Sequence, residues 1–267
     1  MLKSLTSSLL VIVFAGFVGC SVVPETGRRQ VMLVSQGDET KMGLAAFTDV
    51  KAKEKISNDP KWNAQVQRVG KRIASSVGRE LPEAQWEFVV FDSEQVNAFA
   101  LPGGKVSVYT GLLKIVQSDD ELAIVLGHEI AHVTSRHSAE RVSQQEIAAG
   151  LTGLTAAYLE TKDIDPAKKN LVLGALGTGA TVGVMLPYSR LHESEADSVG
   201  LRFAAQAGYD PRAAVTFWKR MSEATSKQGK PMVLLSDHPS DEARIQNLQR
   251  LVPQYIPVYE AAKKRFE

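Results

Sequence analysis

"VLGHEIAHVTSRH", Val125 to His137, places three histidines and one glutamate within ten residues, His128 to His137. His128 and His132 are four apart, so on a helix they share a face about one turn from each other. Two imidazoles in that relation can reach one ion. Leu122, Val125 and Leu126 upstream supply the opposite, buried side of such a helix. Glu129 adjoins His128 and can reach a water held near the ion without being a ligand, which is the logic of the HExxH string. His137 follows His132 by five residues, about 140° around a helix. The places three and six residues after His132 hold Ser135 and Ser138, so a glycine turn with a third histidine is absent. His137 therefore reads as a surface or capping histidine, and the third ligand must come from elsewhere.

"HESEAD", His192 to Asp197, offers carboxylates. Glu193 and Asp197 are i and i+4 on one helical face, whereas Glu195 lies about 200° from Glu193. A ligand plus a carboxylate that accepts from the far nitrogen of a ligand histidine fits the 193/197 pair. Taken alone, the same run also reads as the acidic side of a solvated helix.

The whole chain sets the frame. It has 267 residues, 44% apolar, with 31 Lys plus Arg against 30 Asp plus Glu. That balance gives no electrostatic case for nucleic acid. Lys3 and the apolar run Leu9 to Gly19 read as a secretory signal over residues 1–19, too short for a comfortable membrane span. "FVGC" resembles a lipoprotein cleavage site, with Phe17 where leucine is usual. Cys20, the only cysteine, then reads as the lipidated N-terminus, with no internal disulfide and no thiolate metal site. A signal cut elsewhere would leave it an idle thiol. Ser21 favours the outer membrane of a bacterial envelope over the inner one by resemblance to sorted lipoproteins.

Residues 20–34 read as an extended tether and 35–267 as a single domain. Ser35 could cap a helix to about Val50. Asp59 and Pro60 start a second helix whose Val66, Val69, Ile73 and Val77 share one face. "QWEFVVFD" alternates as a strand, and "VNAFALPGGKVSVYTG" reads as two strands around a Pro-Gly-Gly turn. "LVLGALGTGATVGVML", Leu171 to Leu186, carries no charge and four glycines. As a helix it rises about 24 Å, short of a bilayer core of roughly 30 Å. It reads as a buried or membrane-surface helix in preference to a span. Many helices, one small mixed sheet and no βαβ alternation give an α+β class.

HExxH followed by ExxxD resembles the gluzincin zinc peptidases. "SRLHESEAD" and "DHPSDEAR" are similar to the branch holding HtpX, the CAAX prenyl proteases and the BepA-type periplasmic lipoproteins. "PETGRRQ" and "NAFALPGGKVSVYTGLL" resemble bacterial relatives of the mitochondrial inner-membrane stress protease of that branch. The resemblance covers about residues 24–250. It implies a zincin-like fold, one Zn²⁺ per subunit on His128, His132 and Glu193, and Glu129 as the catalytic carboxylate.

Extended or misfolded polypeptides are the substrates it suggests, in envelope quality control, with the membrane reached through the lipid anchor. Asn97 and Ala98 would line the sheet edge that takes a substrate strand; a plain core strand is the other reading. His238, in the His-Pro loop, would donate to an oxyanion, occupy the open zinc position, or simply cap the helix near Pro239. Arg244 is a weaker candidate that equally reads as a surface ion-pair residue. A zinc-containing chaperone lipoprotein with little proteolysis is the competing function.

Overall fold

The computed structural model describes residues 19–181, 185–228, 233–238 and 242–266. Most of the leader, residues 182–184 of the uncharged run and Pro239 lie outside that set. The described chain divides into two compact units, where the sequence reading took 35–267 as one domain.

The larger unit holds 37–135 and 192–267. Helix α1 spans Gln36–Lys53 and α2 spans Pro60–Val77. The Asp59 side chain accepts from the amides of Lys61 and Trp62 at 2.8 and 3.1 Å, and Pro60 needs no partner for an amide it lacks. Val66, Val69, Ile73 and Val77 are buried, as their spacing requires. Strands β3 (Glu87–Phe91), β4 (Ala98–Leu101) and β5 (Lys105–Tyr109) follow, ordered β3-β5-β4. β3 pairs with β5 in parallel and β4 pairs with β5 antiparallel, so the sheet is mixed. The β4–β5 turn needs Gly103 and Gly104, at φ of 91° and 80°.

After a single turn, α3 (Thr110–Leu113), comes α4 (Asp119–Thr134). Ser118 caps it by accepting from the Glu121 amide, and Asp119, Asp120 and Glu121 load its first turn with the charge a helix N-terminus favours. Its end is set by Arg136, which takes the left-handed φ of 56°. Helix α4 packs between β4 and α2 and is buried along most of its length. Such burial demands nearby helices, named below as α7 (Leu186–Gln206), α8 (Ala213–Gln228), the five-residue α9 (Val233–Asp237) and α10 (Glu242–Lys263).

The smaller unit holds the described residues up to Gln36 and 136–191. The expected tether is instead a hairpin, β1 (Gly19–Val22) with β2 (Arg29–Met32), followed later by α5 (His137–Glu160) and α6 (Pro166–Ala180). Arg28 clamps Glu140 with two hydrogen bonds of 2.9 and 2.8 Å, Gln30 adds one of 3.2 Å, and the Leu33 amide donates to Ser143. "PETGRRQ" thus pins the hairpin to α5. His137 is fully buried at the start of α5, which corrects its surface reading. Of the two readings of the uncharged run, burial is removed and the membrane-surface helix stands: α6 buries none of its residues, and its glycines at 174, 177 and 179 have no neighbour at the place of a missing side chain.

Candidate metal centre

Two glycines bring the two halves of the site together. A methyl group on Gly200 of α7 would lie 2.7 Å from the His128 amide nitrogen, and one on Gly127 would lie 2.7 Å from the Gly200 carbonyl oxygen. Only hydrogen atoms allow α4 and α7 to cross so closely. One face of α7 then presents Glu193 and Asp197 to the histidines of α4.

The resulting distances are short and nearly equal. His128 Nε2 is 3.1 Å from His132 Nε2, and Glu193 carries one oxygen 3.3 Å from each. His238 Nδ1 is 3.2 Å from His128 Nε2 and 3.0 and 3.1 Å from the Glu193 oxygens. A tetrahedral cation with bonds of 2.0–2.1 Å has ligand–ligand edges of about 3.3–3.4 Å. Three imidazole nitrogens and a carboxylate at these separations have the donor chemistry and spacing of a zinc cage. Among the described residues this is the group able to hold a metal, and His137 is not in it.

Charge reinforces the cage. Burial alone would push the His128 imidazole down, but hydrogen bonds with Asp197 and Glu193 outweigh it and hold its pKa up at about 9. Against burial, which would raise it, hydrogen bonds from His128, His132 and His238 hold the Glu193 carboxyl well below the usual carboxylate range. Asp197 is likewise lowered despite burial, by the Arg244 charge and by His128.

Glu129 behaves in the opposite way. Burial raises its pKa, and the charges of His238 and His128 only partly offset this. Its Oε1 makes no hydrogen bond, and His238 Nε2 stands 3.4 Å away.

Arg244 is the residue that sequence reasoning ranked too low. It is buried, not on the surface. Its guanidinium lies 3.9 Å over the Trp218 ring and donates to both Asp197 oxygens at 2.9 and 2.8 Å. It also donates to the His238 carbonyl at 3.1 Å and stands 3.4 Å from Glu193. The sequence signals were its place six residues after His238 on the next helix and at the end of the string "DHPSDEAR".

Asn97 and Ala98 sit at the start of the edge strand β4. The Ala98 side chain is buried, and its amide donates to the Asn97 side-chain oxygen at 3.0 Å. Just before them, the Val96 carbonyl accepts from the Leu234 amide of α9 at 3.1 Å. Cys20 has its backbone in β1, paired with Val31.

Comparison with known proteins agrees with this geometry. The profile of peptidase family M48 matches residues 60–252. The chain is 35% identical over 241 residues to the mitochondrial metalloendopeptidase OMA1 of Schizosaccharomyces pombe, covering 89% of this chain and 68% of that protein. It is 34% identical to the OMA1 metalloendopeptidase of Bos taurus, over 94% of this chain and 49% of that one. It is 26% identical to the beta-barrel assembly-enhancing protease of Escherichia coli K12, over 99% of this chain and 55% of that one. The chain thus spans about half the length of the bovine and bacterial relatives.

Proposed function

The chain belongs to peptidase family M48 and is a zinc metalloendopeptidase, and on that premise we propose that it cleaves extended or misfolded proteins of a bacterial envelope while anchored through a lipid on Cys20. The observation that supports the catalytic reading is the convergence of His128, His132 and Glu193 beside a buried, hydrogen-bond-free oxygen of Glu129.

His128, His132 and Glu193 would hold the ion. A bound zinc supplies Lewis acidity toward a peptide carbonyl and lowers the pKa of water toward about 7. Glu129 takes the proton of the attacking water and returns it to the leaving nitrogen; its raised pKa suits a group that must both accept and donate. Asp197 holds His128 by its far nitrogen, so that Nε2 faces the ion. Arg244 neutralises the buried Asp197 and fixes its orientation.

His238 would act as a latency ligand: its Nδ1 stands beside His128 Nε2 and Glu193, where it would compete with water for a bound ion, while α9 ties itself to Val96 next to the substrate edge. Activation then requires the segment carrying His238 to swing away. The edge of β4 near Asn97 and Ala98 offers backbone, rather than side chains, to an extended peptide. A backbone reader demands little sequence, which suits unfolded substrates. The likeness to a beta-barrel assembly-enhancing protease supports an envelope setting.

The test is Glu129→Gln. It keeps fold and zinc content but loses casein hydrolysis by roughly 10²–10⁴-fold. A zinc-loaded variant that still cleaves would remove Glu129 from its role; a zinc-loaded parent protein that cleaves nothing would leave the chaperone reading in place.

A further inference from the structure

Nine of the sixteen large apolar side chains exposed among the described residues fall between Leu151 and Leu191, all in the smaller unit. That concentration is not scatter. Leu151, Leu154 and Tyr158 lie three and four apart on α5 and form one stripe. Leu171 and Val172 open onto solvent from α6, Leu171 at 72%. Residues 147–159 and 171–189 carry no charge at all. Between the two runs stand Lys162, Lys168 and Lys169 and an equal number of acids, Glu160, Asp163 and Asp165, with Lys169 paired to Glu160 at 3.3 Å.

An apolar cavity of about 250 Å³ continues this surface inward, lined by Ile147, Leu151, Leu176, Met185, Tyr188 and Val31. Val31 is the register partner of Cys20. The lipid-bearing cysteine of the proposed anchor therefore belongs to a folded strand, with no free linker between it and the unit that bears the apolar face. Acyl chains attached there would hold this unit against a bilayer.

We infer that the α5–α6 pair lies in the outer part of a phospholipid leaflet, with Leu151, Leu154, Tyr158, Leu171 and Val172 immersed and the charged 160–169 connection at the headgroup level. Among the described residues no helix is long and apolar enough to cross a membrane. An uncharged stripe bounded by a cluster of charged residues of both signs suits interfacial lying rather than spanning. Lysine stems reach back to the headgroup level while their ammonium groups stay wet. The inference rests on the lipoprotein reading for its source of attachment and is read independently of it below.

The processed protein is bound to vesicles of phosphatidylethanolamine and phosphatidylglycerol. A polarity-sensitive fluorophore is placed singly at Leu154→Cys, Leu171→Cys or the exposed control Lys71→Cys of α2. Thiol labelling of the parent protein first reports the anchor: a lipidated Cys20 takes no label. If it does label, the anchor fails by itself, and the fluorophore series is run on a Cys20→Ser background.

Immersion gives a blue shift and strong quenching by brominated lipids at 154 and 171, and neither at 71. Water-like emission at 154 and 171 would overturn the inference, as would failure to bind vesicles. So would protection from aqueous iodide without quenching by brominated lipid, which means a protein covers the face.

Discussion

Nδ1 of His128 lies 3.1 Å from Oδ1 of Asp197, and that same oxygen accepts from Arg244 Nη2 at 2.8 Å. One buried carboxylate thus orients the His128 imidazole while a buried guanidinium balances its charge. The arrangement leaves Nε2 as the nitrogen of His128 that would face an ion. It also explains why an acidic residue is tolerated in so dry a place, since an unpaired buried charge is costly.

Asp197→Asn keeps the shape but removes the charge that Arg244 and His128 answer to. Zinc affinity is expected to fall roughly 10–100-fold, the usual loss when a partner behind a metal-bound histidine is changed. Zinc titration against a competing chelator measures it. Unchanged affinity would mean that Asp197 serves the fold alone.

Gly200→Ala inserts a methyl group where the His128 amide nitrogen lies 2.7 Å away. Backbone cannot yield as a flexible side chain can, so α4 and α7 must part. Overpacking of this kind costs about 1–3 kcal/mol. The specific expectation is that zinc binding suffers more than stability, because Glu193 withdraws from the histidines. Denaturant unfolding beside zinc titration separates the two effects.

His238→Ala removes the fourth vertex and leaves His128, His132 and Glu193. Basal hydrolysis of an unfolded substrate is expected to rise, with the metal retained. X-ray absorption at the zinc edge should show one nitrogen ligand exchanged for oxygen. A fall in turnover without change in metal geometry would instead make His238 an oxyanion donor.

The metal-free protein should show a pH signature. His128 is held at about 9 when folded, above its ordinary 6.5. Its contribution to stability is fully present below 6.5 and is lost as the pH rises through about 9. Zinc must displace that proton, so zinc affinity rises over the same window. Denaturant midpoints with chelator, and zinc affinity without it, read both slopes from pH 6 to 9.5. A flat metal-free midpoint would show that His128 gains no proton affinity on folding.

Several elements could be read locally. The Asp59-Pro60 start, the buried stripe of α2, the Pro-Gly-Gly turn and the pairing of His128 with His132 follow from spacings of a few residues and from backbone preferences. The i, i+4 relation of Glu193 and Asp197 was equally legible, although their function was not, because an acidic helix in water has the same spelling. Burial was the least legible property. His137 is polar yet buried, and the apolar part of α6 is exposed, which leaves only the surface half of its sequence reading. Composition shows what a side chain prefers, not which neighbours or solvent the fold supplies.

The amino-acid sequence by itself determined the helix that carries HExxH, the mixed sheet beside it and the chemistry of the candidate ligands. Only the tertiary structure decided that these ligands meet. The close approach of Gly127 to Gly200 sets Glu193 against the histidines, the seat of Arg244 over Trp218 neutralises Asp197, and His238 comes to stand beside Glu193 and His128. Local periodicity places side chains on a face of one helix; the distance between faces depends on the packing of residues far apart in the chain.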